Sequence, residues 1–239
     1  MIVYPAIDLR GGRCVRLLEG AFERETVYGD DPVAVARGFE AAGAGWLHVV
    51  DLDGARAGRP VQADLVAAIC AAVRIPVQVG GGLRDPAAVD AALAAGAARV
   101  VLGTVAVEDP ERAATICRAH PGRVAIGLDA RDGRLRVAGW TEGAETTATA
   151  AAALAAELGA AAVIYTDIGR DGTERGPDLE GTRTVARAAG VPVIASGGVG
   201  ALEHVRAVAT LGVAGVIIGR ALYTGAVRLA DALAVAEAA

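Results

Sequence analysis

The chain has 239 residues, of which 54% are hydrophobic, 21% charged and only 3% aromatic, enough for one large domain or two small ones. All 23 basic residues are arginine, which excludes Schiff-base aldolases, lysine-anchored pyridoxal enzymes and P-loops whose lysine must reach a terminal phosphate. A net charge of -5 argues against general affinity for nucleic acid or anionic membranes, so any anion has to be held locally.

Short Val/Ile-rich runs ending in Asp, Gly or Ser alternate along the chain with alanine-rich segments of helical period. The expected strands are Ile2 to Asp8, Trp46 to Asp51, Pro76 to Val79, Val100 to Gly103, Val124 to Asp129, Ala162 to Asp167, Pro192 to Ser196 and Val216 to Gly219. Between and after them lie the expected helices Asp31 to Ala42, Gln62 to Val73, Pro86 to Ala95, Pro110 to Ala119, Thr147 to Leu158, Leu179 to Ala189, Leu202 to Leu211 and Leu222 to Ala236. Several of these open on Asp-Pro or close on Gly. Strands apolar on both faces, each followed by a helix, call for a parallel sheet. Eight such units over residues 1–239 predict a single α/β domain, a closed (β/α)8 barrel; an open doubly wound sheet is the alternative, but its dinucleotide fingerprint is missing.

The apolar runs are broken by Gly, Pro and charge, and none approaches the ~20 residues of a membrane span. The start MIVYPAID carries no charged leader or cleavage site, and asparagine, hence N-linked glycosylation, is absent; a cytoplasmic protein is expected. Cys14, Cys70 and Cys117 are too scattered for a disulfide framework or a zinc knuckle and read as small buried hydrophobes. His48, His120 and His204 share no metal-ligand spacing and read as structural, so neither metal nor cofactor is expected.

An internal repeat sharpens the barrel. The thirty residues from Ile75 align without gaps on those from Val191 and match at about a third of positions, and AIDLRGGRCVRL from Ala6 aligns on GLDARDGRLRVA from Gly127. Two similar half-barrels put Asp8 and Asp129 on opposite sides of one mouth, at the strand C-termini where barrel active sites are built. The same symmetry pairs two glycine-lined cups: Gly81, Gly82, Gly103 and Thr104 after the third and fourth strands, and Gly197, Gly198, Gly219 and Arg220 after the seventh and eighth. Backbone amides approached through glycine suit phosphate, so the ligand expected here carries a phosphate at each end and stretches above the two aspartates. Two carboxylates at one site can divide into base and acid. The run after the sixth strand adds Thr166, Asp171 and a Gly172-Thr173 pair, and Arg16 and Arg84 are candidate substrate contacts through forked guanidinium bonds. Trp140, beyond the fifth strand, could stack on a planar ligand and close over it.

The runs AIDLRGGRCVRL, HVVDLDGA, QVGGGLR, GLDARDG with its following GW, TDIGRDGT and ASGGVG resemble, over essentially the whole chain, the histidine-biosynthesis isomerase family that converts N'-phosphoribosylformimino-AICAR phosphate to its phosphoribulosyl isomer. The resemblance implies an Amadori rearrangement of an aminoaldose to an aminoketose on a small-molecule bisphosphate substrate. It places the base on Asp8, for the C2' proton, and the acid on Asp129, for the furanose oxygen. Thr166 falls on an active-site threonine that orients Asp129 or the sugar. Asp171 falls on a second carboxylate, to which some relatives would assign the acid role. Gly81, Gly82, Gly103 and Thr104 would hold one phosphate, and Gly172, Thr173, Gly197, Gly198, Gly219 and Arg220 the other. Proton transfers beside an imine require no metal or nucleotide.

Two related barrels stay open as alternatives. The histidine-pathway cyclase typically has Cys-Leu-Asp where this chain has Ala6-Ile7-Asp8, and a lysine shortly afterwards where this chain has only arginine. A bifunctional isomerase acting also on phosphoribosylanthranilate is kept open by Arg136 ahead of Trp140. A non-catalytic phosphosugar-binding barrel would bind its ligand regardless of Asp8 or Asp129. No obligate partner is indicated, and a monomer is expected.

Overall fold

The alternation read in the sequence resolves, in a computed structural model describing residues 1–238, into twelve strands and eleven helices. The first quarter runs β1 (Ile2–Arg10), β2 (Arg13–Leu18), β3 (Ala21–Gly29), α1 (Pro32–Ala41), β4 (Leu47–Asp51) and α2 (Leu52–Ala57). Then come α3 (Ala63–Ala72), β5 (Val77–Gly80), α4 (Pro86–Ala94), β6 (Arg99–Leu102), α5 (Thr104–Glu108) and α6 (Pro110–Ala119). The second half holds β7 (Val124–Arg131), β8 (Arg134–Val137), β9 (Glu142–Thr147), α7 (Ala148–Leu158), β10 (Ala162–Asp167) and α8 (Leu179–Ala188). The chain ends with β11 (Val193–Ser196), α9 (Leu202–Ala209), β12 (Gly215–Ile218), α10 (Arg220–Thr224) and α11 (Leu229–Glu237).

Eight of the strands, β1, β4, β5, β6, β7, β10, β11 and β12, pair in parallel in chain order. Pairing of β12 back onto β1, with Ile2 opposite Gly215, closes the ring. The result is a (β/α)8 barrel, not the open doubly wound sheet. Asp31, Asp85 and Asp109 each cap a helix by accepting a main-chain N–H, with proline at the first helical position. The aspartate oxygen satisfies one of the helix's free amides and proline gives up a donor that has no partner there, so each Asp-Pro pair fixes a helix start.

The core has two parts. The larger lies between the sheet and the helices; the smaller fills the barrel with Tyr4, Ala6, Ala125, Ala162, Ile164, Ile194 and Ile217. The alanines leave room inside the barrel for longer polar side chains.

The expected strand cores agree with the structure, but β1 and β7 run on into antiparallel hairpins with β2–β3 and β8–β9. Their turns, Gly11-Gly12 and Asp132-Gly133, both have positive φ at both positions, as a tight two-residue hairpin requires. The two hairpins occupy equivalent places in the two half-barrels. The expected last helix is also interrupted: α10 ends at Gly225, left-handed at φ 76, and α11 begins four residues later.

Candidate active site

Asp8 sits near the C-terminal end of β1, 9% exposed, opposite Val15 of β2. Because β2 folds straight back over β1, it delivers Arg16 to the same carboxylate, with Nη1 2.8 Å from Oδ2. The other arm of that guanidinium, Nη2, lies 3.6 Å from Oδ1 of Asp171. Arg16 is thus held between two carboxylates and is 7% exposed. A glycine at 219 makes this possible, since a Cβ there would fall 2.2 Å from Nη2.

Asp129 occupies the matching place on β7. The Trp140 indole Nε1–H donates to its Oδ2 at 2.7 Å. Thr166, its register neighbour on β10, lies beside it and favours its charged form. The Trp140 ring lies over Gly20, where a Cβ would meet it at 2.1 Å, so the hairpin of β2 and β3 and the loop after β8 touch above the mouth. In this arrangement the indole N–H is bound to Asp129 while the ring lines the cavity.

Burial raises all three carboxyls. Asp8 is lifted to about 6, with Arg16 opposing and Asp171 adding to the rise. Asp129 is raised by burial and opposed by the Trp140 N–H and by Thr166; Asp171 is raised by burial and opposed by Arg16 and the Gly172 amide.

One cavity is walled by Asp8, Arg16, Asp129, Trp140, Thr166 and Asp171 together with Gly81, Gly82, Arg84, Gly103 and Thr104. A second, smaller one is walled by Arg16, Asp171, Gly172, Gly197, Gly198, Gly219 and Arg220. Arg16, Asp171, Ser196 and Ile217 belong to both, so the two share a wall.

The halves match in detail. A Cβ on Gly81, at φ 104, would strike the Asp51 carbonyl at 2.1 Å, and one on Gly197, at φ 93, the Asp167 carbonyl at 2.8 Å. Gly103 and Gly219 share an uncommon backbone, φ -100, ψ -95 and φ -104, ψ -102, each before a five-residue helix.

Not every predicted contact residue faces a cavity. Thr173 lies outside both walls, its hydroxyl donating to the Arg170 carbonyl at 2.7 Å. Arg220 lines the smaller cavity with Nη1 donating to the Gly172 carbonyl at 2.8 Å and Nε 3.4 Å from Glu174. His48, read as structural, lines the main cavity, as does Arg136. The missed signal for His48 is parity: it pairs with Ala6 on β1, two positions before Asp8, so both face the barrel interior. Among the described residues no group of three His, Cys, Asp or Glu is placed to hold a metal, and no helix is long and apolar enough to cross a membrane.

The model for the family of histidine biosynthesis proteins matches residues 2–228. The chain belongs to this family. Among similar members, a protein of Cereibacter sphaeroides is 54% identical over 234 residues, covering 98% of each chain. One of Paracoccus denitrificans is 53% identical over the same length, and one of Herpetosiphon aurantiacus 52% over 237 residues, covering 99% of each chain. All three relatives are named 1-(5-phosphoribosyl)-5-((5-phosphoribosylamino)methylideneamino)imidazole-4-carboxamide isomerase. In this member of the histidine biosynthesis family, the half-barrel repeat supplies both the paired aspartates and the paired glycine cups.

Proposed function

We propose that this chain catalyses the reaction in its relatives' name, isomerising N'-phosphoribosylformimino-AICAR phosphate from aminoaldose to aminoketose in histidine biosynthesis. The observation that carries the reading is the pair of raised carboxyls, Asp8 and Asp129, facing one cavity flanked by two glycine cups. The cups take the two phosphates and hold the reacting ribose between the aspartates. Asp129 gives its proton to the furanose oxygen as the C1'–O bond breaks, leaving an iminium between C1' and nitrogen. Asp8 then removes the C2' proton; that electron pair forms the C1'–C2' double bond while the iminium pair returns to nitrogen. Protonation at C1' and loss of the hydroxyl proton at C2' give the ketone. Thr166 and Trp140 orient Asp129, and Arg16 holds Asp8 ionised between transfers. Asp171 is joined to Asp8 through Arg16 and tunes it. Arg84 faces the cavity as a phosphate contact. The protein works as a monomer in the cytoplasm, with no second chain needed to complete the site.

The test is to supply the purified protein with the bisphosphate aminoaldose and, separately, with phosphoribosylanthranilate. Absence of turnover of the first defeats the proposal; turnover of both, with Arg136 on the cavity wall, would make the enzyme bifunctional. Asp8→Asn and Asp129→Asn are expected to lower turnover by orders of magnitude while binding persists. Undiminished turnover would remove both aspartates from the chemistry.

A further inference from the structure

Inside the barrel, below the aspartates, His48 of β4, Gln78 of β5 and Arg99 of β6 are successive register partners. Gln78 is fully buried. Its Oε1 accepts from Arg99 Nε at 2.9 Å and Nη2 at 2.6 Å, and its Nε2 lies 2.8 Å from Nδ1 of His48. Arg99 is itself fixed, Nη2 donating to the Tyr4 hydroxyl at 3.0 Å and the guanidinium lying 4.7 Å from the Trp46 ring centre.

The chemistry of these groups sets the direction of every bond. A guanidinium has five donors and no acceptor, so the Gln78 oxygen must face Arg99 and the amide nitrogen is left facing His48. An amide nitrogen only donates, so Nδ1 must accept and the ring proton resides on Nε2. Nothing in this chain depends on which way a side-chain amide is drawn, because the arginine end cannot be reversed.

We propose that Gln78 and Arg99 are positioning residues that lock His48 as the neutral Nε2–H tautomer, a fixed hydrogen-bond donor to a substrate oxygen in the main cavity. Burial and the positive charges of Arg16, from β2, and Arg99, from β6, press the imidazolium down to about 3, which keeps the ring neutral across the working range. From β1 the register neighbour is Ala6, which carries no charge. A neutral donor binds a hydroxyl or enol oxygen without competing with Asp129 for protons. The kinetic consequence rests on the isomerase reading; the tautomer does not.

The experiment is a long-range proton–nitrogen correlation spectrum of the full chain labelled with nitrogen-15 in histidine, with His48 assigned by its loss in His48→Gln. The expected result is Nε2 protonated and Nδ1 bare from pH 5 to 9. In Gln78→Glu the new carboxylate keeps the Arg99 bonds but demands a proton on Nδ1, so at pH 9 the tautomer inverts. The ratio of variant to wild-type kcat/KM should then fall about tenfold between pH 6 and 9, as the Nε2 proton is lost and a lone pair faces the substrate. A wild-type ring protonated on Nδ1, or one that titrates within this range, overturns the lock. So does a variant whose tautomer and activity ratio do not change with pH. If the variant fails to fold, the wild-type spectrum decides alone. If the spectrum is as expected but the wild type turns over no bisphosphate, the isomerase reading falls and the lock stands.

Discussion

Replacing Arg16 by glutamine is the most direct probe of how Asp8 is tuned. The substitution keeps a hydrogen-bond donor of similar reach but removes the charge 2.8 Å from the carboxylate. Two unit charges at that separation attract by about 6 kcal/mol at an effective dielectric of about 20. If only a third of that is lost, the ionisation constant of Asp8 moves about 30-fold, since about 1.36 kcal/mol corresponds to tenfold. Asp171 adds in the same direction, because its repulsion of Asp8 would no longer be offset. In the wild type the carboxyl titrates at about 6 and the base form dominates at neutral pH; in Arg16→Gln it does not. The assay is kcat/KM against pH, which reports the free enzyme. Phosphate monoesters also titrate near pH 6, so the quantity to plot is the ratio of variant to wild type, in which the substrate's own titration cancels. That ratio should be lowest, about 30-fold down, on the acid side of pH 6 and climb through neutrality towards pH 9. A flat ratio, or an acidic limb at the wild-type position, would refute Arg16 as the group that holds Asp8 ionised.

Three further outcomes follow from the same geometry. Trp140→Phe keeps a ring over Gly20 but removes the N–H donor to Asp129; a hydrogen bond to a charged group contributes about 1.5–3 kcal/mol, so the Asp129 limb of the kcat profile should move alkaline, and an acid shift contradicts the assignment. Gly219→Ala and Gly103→Ala alter residues of nearly identical backbone, yet a Cβ at 219 strikes Arg16 whereas one at 103 has nothing within 4 Å; steady-state kinetics should show the larger loss of kcat/KM at 219, and equal losses would deny Arg16 its part. The rise of Asp8 from 3.8 to about 6 means that the folded protein binds the extra proton, so its contribution to stability is complete below pH 3.8 and is lost as pH rises through about 6. Urea unfolding of wild type minus Asp8→Asn should show that loss, at most about 3 kcal/mol, between pH 4 and 7; a difference that grows with pH would reverse the sign.

What the sequence made legible was whatever repeats at barrel scale. Asp-Pro pairs start helices, apolar runs on both faces make buried parallel strands, and the gapless alignment of residue 75 onward with residue 191 onward joins both glycine cups to one ancestry. The hairpins after β1 and β7 were written in the same residues that carried the repeat, Gly11-Gly12 and Asp132-Gly133, but a reading tuned to the strand–helix period passed over two-residue turns. Short helices such as α5 and α10, at five residues, lie below any periodic signal. At the site, residue identity located Asp8, Asp129 and Thr166, but partners depend on side-chain direction. That Arg16 turns inward to two carboxylates, that Trp140 serves Asp129, and that Thr173 spends its hydroxyl on its own turn are consequences of β2, β8 and the loop after β10, none of which spacing alone could orient.

The two aspartates show how a duplicated frame can support unequal chemistry. Asp8 and Asp129 stand at equivalent points of the two halves, each raised by burial, and each is met by a side chain from its own hairpin or the loop beyond it. On β2 that partner is a guanidinium, which adds a full positive charge beside the carboxylate; after β8 it is an indole, which adds a dipole and no net charge. A cation favours the anion far more than a neutral N–H does, so the same strand position carries a carboxylate supported by a full charge in one half and by a dipole in the other. On the proposed isomerase reading, the asymmetry between one base and one acid would therefore reside in the hairpins and not in the barrel strands. It also explains why a barrel without lysine can do this work: the charge that distinguishes its two carboxyls comes from arginine, which stays protonated however deeply β2 buries it.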